Sequence, residues 1–278
     1  MSDHTERAFA LVGPGRAGTT IAVAMQARGW TPSAVAGRSF DAASVRAASA
    51  RLGAPARDLA DVGADADVVV IGTPDAAIAE AAAAIAPGVR RGALVLHLSG
   101  ACTLDELAKL RVARPDVELG SLHPLQSLPD VDLGLARLPG SWCAVDGPSA
   151  VERLAVSLGM RPFRVADEDR ARYHAAATVA SNHLVALLAQ AARIADTAGV
   201  PLTALLPLAR ATLDNVGSLG PDDALTGPVA RGDVATVRAH LDALSPGEQR
   251  AYRALADEAR RLARPHDSAL RETLEAER

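Results

Sequence analysis

The first part of the chain alternates short apolar runs with longer segments in which apolar and polar positions recur at helical spacing. Runs of this kind are typical of buried strands in a parallel sheet. Seven strands are predicted, at residues 8–12, 33–36, 67–71, 93–97, 118–122, 142–145 and 163–165. Because helices are predicted between them, the pattern indicates an α/β fold, a Rossmann doubly wound parallel sheet covered on both faces.

The strand pattern stops near residue 166, and the rest of the chain predicts an all-α C-terminal domain. Residues 167–198 contain neither proline nor glycine and predict one helix, about 48 Å long at about 1.5 Å per residue. Three more helical stretches follow, at residues 202–219, 227–244 and 246–264. We therefore predict two domains, a dinucleotide-binding domain over 1–166 and a helical domain over 167–278.

A dinucleotide site is predicted where the first strand meets the first helix. The segment Gly13-Pro14-Gly15-Arg16-Ala17-Gly18 has the G-x-G-x-x-G pattern in the strand–helix context that this motif requires. Its glycines permit a tight turn, close approach of a pyrophosphate to the backbone, and packing of the helix on the strand. The free N–H groups at the helix N-terminus attract phosphates. The alternative is a turn with a purely structural role.

The end of the second strand decides which dinucleotide fits. NAD enzymes usually carry an acidic residue there, whereas this chain has Arg38 and Ser39, which suit a 2′-phosphate. The predicted cofactor is therefore NADP, unless Arg38 is only a solvated surface residue. Thr73, Pro74 and Ser99 follow later strands and are predicted to line the ribose and nicotinamide, although turn residues at strand ends also have structural reasons.

Composition excludes several other classes of protein. The 278 residues carry a net charge of −4, which gives no basic surface for nucleic acid or anionic lipid. Cys102 and Cys143 lack the spacing of metal ligands, so no metal is expected. Residues 1–7 lack the apolar core of a signal peptide, and the Ala-rich strings are interrupted by charge or glycine. We expect a cytoplasmic protein that acts on a small molecule, without nucleic-acid or membrane partners.

Several motifs together resemble a family of bacterial Rossmann-like NADP oxidoreductases whose C-terminal helical domain is catalogued as of unknown function. They are the glycine motif, Thr73-Pro74-Asp75, Leu122-His123-Pro124-Leu125, the run Tyr-His-Ala-Ala-Ala-Thr-Val-Ala-Ser-Asn-His over 173–183, and Leu-Thr-Gly-Pro-Val-Ala-Arg-Gly-Asp over 225–233. The wider relatives are enzymes similar to 6-phosphogluconate dehydrogenase, including ketopantoate reductase and prephenate dehydrogenase. The resemblance implies an NADP-dependent oxidoreductase and a homodimer formed through the helical domain, but no particular substrate.

The chain departs from its relatives at the proton donor. In ketopantoate reductase and β-hydroxyacid dehydrogenases a lysine precedes an asparagine by one helical turn, but Thr178 precedes Asn182 here and Lys109 is the only lysine. Histidine suits proton transfer at neutral pH. The candidates are therefore His174, on one helical face with Thr178, Ser181 and Asn182, and His123, which follows a strand as a similar His-Pro does in prephenate dehydrogenases. Ser181 and Asn182 are the predicted hydrogen-bonding residues for the substrate.

Each of the two histidines could instead be structural, and further alternatives stay open. Arg231 could clamp a substrate carboxylate or phosphate, or its loop could only start a helix capped by Asp233. We predict an NADPH-dependent reductase of a small carbonyl or imine compound, with ketopantoate the first substrate to test by family analogy. The alternatives are a non-catalytic NADP(H) sensor or partner-binding module, and a deazaflavin in place of NADP.

Overall fold

The computed structural model describes residues 7–263 together with Thr273 and Glu275. The chain divides into two compact units, residues 1–181 and 182–278. The sequence placed the boundary at 166, where the strands end, and the division between the compact units falls within the helical stretch that follows.

A seven-stranded sheet forms the centre of the first unit. Its strands are β1 (Ala8–Val12), β2 (Thr31–Ala36), β3 (Val68–Ile71), β4 (Leu94–His97), β5 (Glu118–Pro124), β6 (Trp142–Asp146) and β7 (Arg161–Phe163). The order across the sheet is β2-β1-β3-β4-β5-β6-β7, with every neighbouring pair parallel except β5 and β6. This confirms the predicted α/β class. The last strand, predicted at 163–165, is observed at Arg161–Phe163, so it begins and ends two residues earlier than predicted.

Helices cover both faces of this sheet. They are α1 (Arg16–Ala27), α2 (Ala43–Leu52), α3 (Ile78–Ile85), α4 (Ala108–Ala113), α5 (Val131–Arg137), α6 (Ser149–Ser157) and α7 (Arg170–Thr178). Alternate residues of β1 point to opposite faces, so Leu11 joins one apolar layer while Val12 joins the other. The layer around Leu11 includes Ile21 of α1, and the layer around Val12 includes Ile78 of α3. The sheet is thereby buried on both sides, as its near-continuous apolar strands require.

The stretch predicted as one α-helix over 167–198 changes its winding. A 3-10 turn at Asp167–Asp169 leads into α7, a π-helical turn follows at Val179–His183, and α8 (Leu184–Asp196) continues from there. The prediction of one regular α-helix is therefore wrong at its centre, because a π turn adds a residue to the repeat without any proline or glycine to signal it.

This stretch also has the length and apolar character of a membrane span. Asp167–Asp196 has a mean hydropathy of 1.2 over its best 18-residue window, of which 6% is buried. The sequence interpretation did not recognise this candidate. A single helix of this kind is weak evidence of a membrane-spanning protein, since only its length and composition support that interpretation.

The second unit is helical and has a small core. After α8 come α9 (Leu202–Leu219), α10 (Pro221–Ala224), α11 (Val234–Ala243) and α12 (Pro246–Leu262). Its buried apolar centre consists of Val237, Leu241 and Ala256. The predicted helix 227–244 begins only at Val234, because Asp233 accepts a hydrogen bond from the Thr236 N–H at 3.0 Å and caps α11 there.

Candidate active site

The glycine motif forms the turn that the sequence predicted between β1 and α1. Gly13 has a φ of +71°, and a Cβ there would lie 2.5 Å from Cγ2 of Thr73. Gly18 is also tightly packed, because its Cβ would lie 3.1 Å from the Gly13 carbonyl oxygen. Gly15 differs, since its nearest such contact is the Gly72 oxygen at 3.6 Å. Space therefore remains above Gly15 for another group to approach the backbone.

The N-terminus of α1 is open at this turn. Gly15 is the N-cap, and no side chain of the described chain caps the helix there. Pro14 is buried and Arg16 is exposed, with its Nη1 donating to the Pro129 carbonyl oxygen at 3.4 Å. Uncapped N–H groups at the positive end of a helix dipole fit a pyrophosphate.

Arg38 and Ser39 leave the sheet beside the glycine turn. The Gly13 N–H donates to the carbonyl oxygen of Ala36 at 2.9 Å, so the loop after β2 adjoins the loop after β1. Both Arg38 and Ser39 are exposed, and the Ser39 hydroxyl oxygen accepts a hydrogen bond from the Asp41 N–H at 3.3 Å. A guanidinium and a hydroxyl at this place fit the 2′-phosphate of NADP.

A cleft of 290 Å³ opens at the carboxyl ends of the strands. Its lining includes Ala17 of the glycine motif, Thr73 after β3, Ser99 after β4, and two histidines. The hydroxyl oxygen of Thr73 is buried without a hydrogen-bond partner among the described residues, so a group entering the cleft could satisfy it. Ser99 is buried, and its hydroxyl oxygen accepts from the N–H groups of Ala101 and Cys102 at 3.2 and 3.0 Å. Pro74 is exposed.

A larger cavity of 440 Å³ lies among residues at the amino ends of the strands. Its charged lining includes Asp67, which accepts hydrogen bonds from the Ala8 N–H and from Arg90. Those contacts hold strand ends in place. Ligands of open α/β sheets bind at the carboxyl ends of the strands, so the smaller cleft is the candidate active site.

The two candidate histidines meet in this cleft. His123 lies on β5 and His174 on α7, and their ring centroids are 5.8 Å apart. The hydroxyl oxygen of Tyr173 is 2.7 Å from Nδ1 of His123. Nδ1 of His174 is buried and has no partner among the described residues. The sequence predicted both histidines but missed Tyr173.

Burial keeps His123 and Tyr173 uncharged at neutral pH. Desolvation by burial, reinforced by the nearby His174 and Arg170 and opposed by Asp75, lowers the pKa of His123 to about 4. Burial also raises the pKa of Tyr173 to about 12. At neutral pH the hydrogen bond between Tyr173 and His123 therefore joins a neutral phenol and a neutral imidazole.

Arg170 lies buried close to this group, and it was not predicted as a site residue from the sequence. Its Nη2 donates to the Ser121 hydroxyl at 3.0 Å and lies 3.5 Å from Oδ2 of Asp146, while its Nε donates to Asp167 at 3.3 Å. Its Nη1 has no partner among residues 7–263. Acidic neighbours in the sequence make Arg170 resemble a solvated helix residue, and only the packing of α7 on β5 and β6 reveals its burial.

The structure does not bear out the predicted shared face of four polar residues. The Thr178 hydroxyl donates to the His174 carbonyl oxygen at 2.9 Å, one regular turn away. Ser181 and Asn182 lie in the π turn, so the α-helical spacing that aligned them with His174 does not continue to them. Ser181 is half-buried in the first unit, and Asn182 is exposed in the second. Arg231 is exposed in its loop.

Known families and structures match both parts of the chain. Residues 4–124 match the sequence profile of a Rossmann-like domain, and residues 144–259 match the domain of unknown function DUF2520. This pairing confirms the resemblance inferred from the motifs. No curated protein sequence matched the chain.

Among solved structures, a protein of Bacteroides fragilis described as a "putative NADP oxidoreductase" is 26% identical, covers 92% of this chain and 98% of its own, and superposes with a TM-score of 0.77. Protein TM1727 of Thermotoga maritima is 24% identical, with coverages of 97% and 99% and a TM-score of 0.63. A reductive aminase of Aspergillus terreus, in complex with NADPH and ethyl-5-oxohexanoate, is 19% identical, with coverages of 95% and 98% and a TM-score of 0.67. The last two support the fold alone.

Proposed function

Because the chain joins a Rossmann-like domain to a DUF2520 domain, we propose that it is an NADP-dependent oxidoreductase that reduces a small imine or carbonyl compound. One observation carries the proposal. The cleft beside the open N-terminus of α1 also holds His123 and His174, so a phosphate-binding turn and proton-transferring groups share one site. The similarity to the Bacteroides fragilis protein supports the cofactor and the reaction type.

The proposed cofactor contacts follow from the loops at the carboxyl edge of the sheet. The N–H groups after Gly15 bind the pyrophosphate, Arg38 and Ser39 bind the 2′-phosphate, and Thr73 and Pro74 line the nicotinamide ribose. Bound NADPH supplies a hydride. The histidines of the cleft supply hydrogen bonds and the proton that completes the reduction.

The charge of the cleft favours some substrates over others. Among the described residues that line the cleft, Asp75 is the only acidic residue, and neither lysine nor arginine is present. A carboxylate in the lining of the cleft favours a neutral or cationic substrate, such as an imine, over a 2-oxoacid such as ketopantoate. We retain as predictions that Ser181 and Asn182 hydrogen-bond the substrate and that the protein is cytoplasmic.

The cofactor proposal is tested by titrating the protein with NADPH and NADH, following fluorescence, on wild type, Arg38→Ala and Arg111→Ala. Wild type should prefer NADPH, and loss of a charge-assisted contact in Arg38→Ala should weaken NADPH binding about 10- to 100-fold while leaving NADH binding unchanged. Arg111, exposed on α4, is the matched control and should behave as wild type. Equal binding of both dinucleotides by wild type would refute the proposed cofactor.

The reaction is tested by following NADPH oxidation with a cyclic imine, with a ketone plus an amine, and with ketopantoate. We expect turnover of the imine to exceed that of ketopantoate, and His123→Ala and His174→Ala each to reduce it at least about 100-fold. If NADPH binds tightly but no compound turns over, the non-catalytic sensor gains support instead. Turnover of ketopantoate alone would overturn the substrate order.

We further propose that the protein forms a homodimer through its helical unit. No residue of α9 is buried within the described chain. Several of its large apolar side chains are exposed, including Leu208 at 67% and Leu219 at 58%. An 18-residue helix depends on burying an apolar face for its stability. A second copy of the chain is the occupant that the family resemblance implies.

A further inference from the structure

Tyr173 determines which nitrogen of His123 carries the proton. Its hydroxyl oxygen lies 2.7 Å from Nδ1 of His123, and either group could in principle donate. A phenol is a stronger donor than a neutral imidazole N–H, and an unprotonated imidazole nitrogen is a stronger acceptor than a phenol oxygen. The hydrogen bond therefore runs from Tyr173 to Nδ1. A neutral His123 then carries its proton on Nε2.

The ring of His123 is also fixed on its other sides. It packs over Gly100, where a Cβ would lie 2.7 Å from Cε1 and 2.9 Å from Nε2. It meets Tyr173 edge to face, with ring centroids 5.6 Å apart, and Tyr173 packs in the same way on Phe163 at 5.7 Å. These contacts leave the imidazole little freedom to rotate and exchange the places of its nitrogens.

His174 lies in the same cleft with a different hydrogen-bonding state. Its Nδ1 is buried and has no partner among the described residues, whereas Nδ1 of His123 is occupied by Tyr173. Both rings line the cleft. No partner on Nδ1 fixes the tautomer of His174, so its ring can take up and release a proton, whereas His123, held with its proton on Nε2, donates a hydrogen bond.

We infer that Tyr173 is a positioning residue that holds His123 as a neutral Nε2–H donor to the substrate, and that His174 is the proton donor. The assignment rests on the proposed reductase function. The substrate carbon receives the hydride and its electron pair from bound NADPH, and the π electrons of the carbon–oxygen or carbon–nitrogen double bond move to the heteroatom. That atom accepts the hydrogen bond of His123 and takes a proton from the imidazolium of His174, which becomes a neutral imidazole and is then reprotonated by solvent. A neutral histidine acting as an electrophile has a precedent in triosephosphate isomerase.

The tautomer is measured without turnover, by long-range proton–nitrogen correlation spectra of ¹⁵N-histidine-labelled protein at neutral pH. In wild type, His123 should be neutral with its proton on Nε2. In Tyr173→Phe, the resonance of the unprotonated Nδ1 should move toward that of a nitrogen without a hydrogen bond. His97 is the internal control, because the Ser99 N–H donates to its Nδ1 and its Nε2 lies 3.2 Å from the Thr103 carbonyl oxygen. Its signals should stay in place.

The wild-type spectrum alone decides the tautomer, so the test does not depend on the folding of the variant. An Nδ1–H tautomer or an imidazolium at His123 would overturn the inference, as would an Nδ1 resonance that does not move in Tyr173→Phe. Absence of turnover with intact spectra would count against the proposed function and leave the tautomer assignment standing.

The division of roles is measured in pH profiles of kcat on the substrate that the screen identifies. The charged and titratable groups around the histidine pair are Tyr173 and Arg170 from α7, His97 from β4, and Asp75. The alkaline limb is the part of the profile in which kcat falls as the pH rises. His123→Gln keeps an N–H donor, so it should keep part of the rate and this alkaline limb. His174→Gln should lose that limb, and Tyr173→Phe should lower kcat about 10-fold with the limb and the NADPH affinity unchanged. A limb that disappears in His123→Gln and persists in His174→Gln would reverse the roles.

Discussion

At the scale of single residues, the position of the His123 ring depends on the absence of a side chain at Gly100. A Cβ there would overlap the imidazole, and Gly100 is not among the glycines with positive φ, so Gly100→Ala acts on the histidine rather than on the backbone. We expect the variant to fold, to lose about 1 kcal/mol of stability, and to lose at least about 10-fold in turnover while NADPH binding persists.

Thermal melting and steady-state kinetics measure these effects. The matched control is Gly247→Ala, because Gly247 is exposed near the start of α12 and a Cβ there would meet nothing within 4 Å. That control should gain up to about 0.5 kcal/mol. A Gly100→Ala protein with full turnover would show that the position of the His123 ring does not matter for the reaction.

Buried His97 makes the stability of the first unit depend on pH. Desolvation lowers its pKa from 6.5 to about 4, with Arg170 adding to the shift, while the hydrogen bond to the Thr103 carbonyl and the charges of Asp75 and Asp146 oppose it. Between these values the unfolded chain binds a proton that the folded chain does not. Stability is therefore complete above pH 6.5 and falls as the pH drops toward 4, by about 3 kcal/mol from this residue.

Urea denaturation at pH 7.5 and pH 4.5, on wild type and His97→Gln, measures this contribution. The variant should be less stable at pH 7.5, because the Ser99 N–H loses its acceptor, but it should lose less stability on acidification. An equal loss in both proteins would assign the acid sensitivity to other groups.

The same residues show what the sequence could and could not predict about the site. The two histidines were found because imidazole suits proton transfer and because each lies in a recognisable motif. Tyr173 was missed because its partner is 50 positions away in the chain, and Arg170 because its contact with Ser121 spans 49. Such pairings follow from the order of strands and helices in space. Neither residue carries a local signal in the sequence.

At the scale of elements, apolar patterning predicted most strands and helices of the first unit, because a buried parallel sheet requires near-continuous apolar runs. It did not predict that β6 runs antiparallel to β5, since a single strand looks the same in either direction. It also missed α5, seven residues capped by Asp130. The π turn lies among alanine, valine and asparagine, which α-helices also accept, so composition could not reveal it.

The N-terminus of α1 allows folding and cofactor binding to be separated. Gly13→Ala places a Cβ 2.5 Å from Thr73 at a φ of +71°, and it should destabilise the first unit by about 1–3 kcal/mol. Gly15 has a φ of −79°, and the nearest atom to a Cβ there would be the Gly72 carbonyl oxygen at 3.6 Å. Gly15→Ala should therefore leave the melting temperature unchanged. The added methyl group fills the space above the turn, and NADPH affinity should fall at least about 10-fold.

Melting curves with and without NADPH test this pair. Ligand raises the melting temperature only of a protein that binds it, so NADPH should stabilise wild type strongly and Gly15→Ala weakly. Equal stabilisation of both would show that the cofactor does not lie against Gly15.

At the scale of the whole molecule, the two units differ in how their apolar residues are placed. The first unit has two extensive apolar layers, whereas the described core of the second consists of three buried residues. The sequence predicted helices in the second half, but amphipathic spacing cannot say whether an apolar face meets its own chain, another copy or lipid. The exposed apolar side chains of α9, and the span-like hydropathy of Asp167–Asp196, therefore need an experiment at the level of assembly.

We expect a dimer by sedimentation velocity and by light scattering, and a monomer when Leu208 and Leu219, which share one face of α9, are both changed to lysine. Two charges within a buried helix face cannot be solvated when a second copy covers it. Val112→Lys is the matched control, because Val112 is 84% exposed on α4 of the first unit and the same change there should leave the dimer intact. A monomeric wild type that sediments with phospholipid vesicles would replace the second copy with a membrane as the partner of α9. If the lysine variant stays dimeric, the interface lies elsewhere, and the apolar face of α9 is not what holds the two copies together.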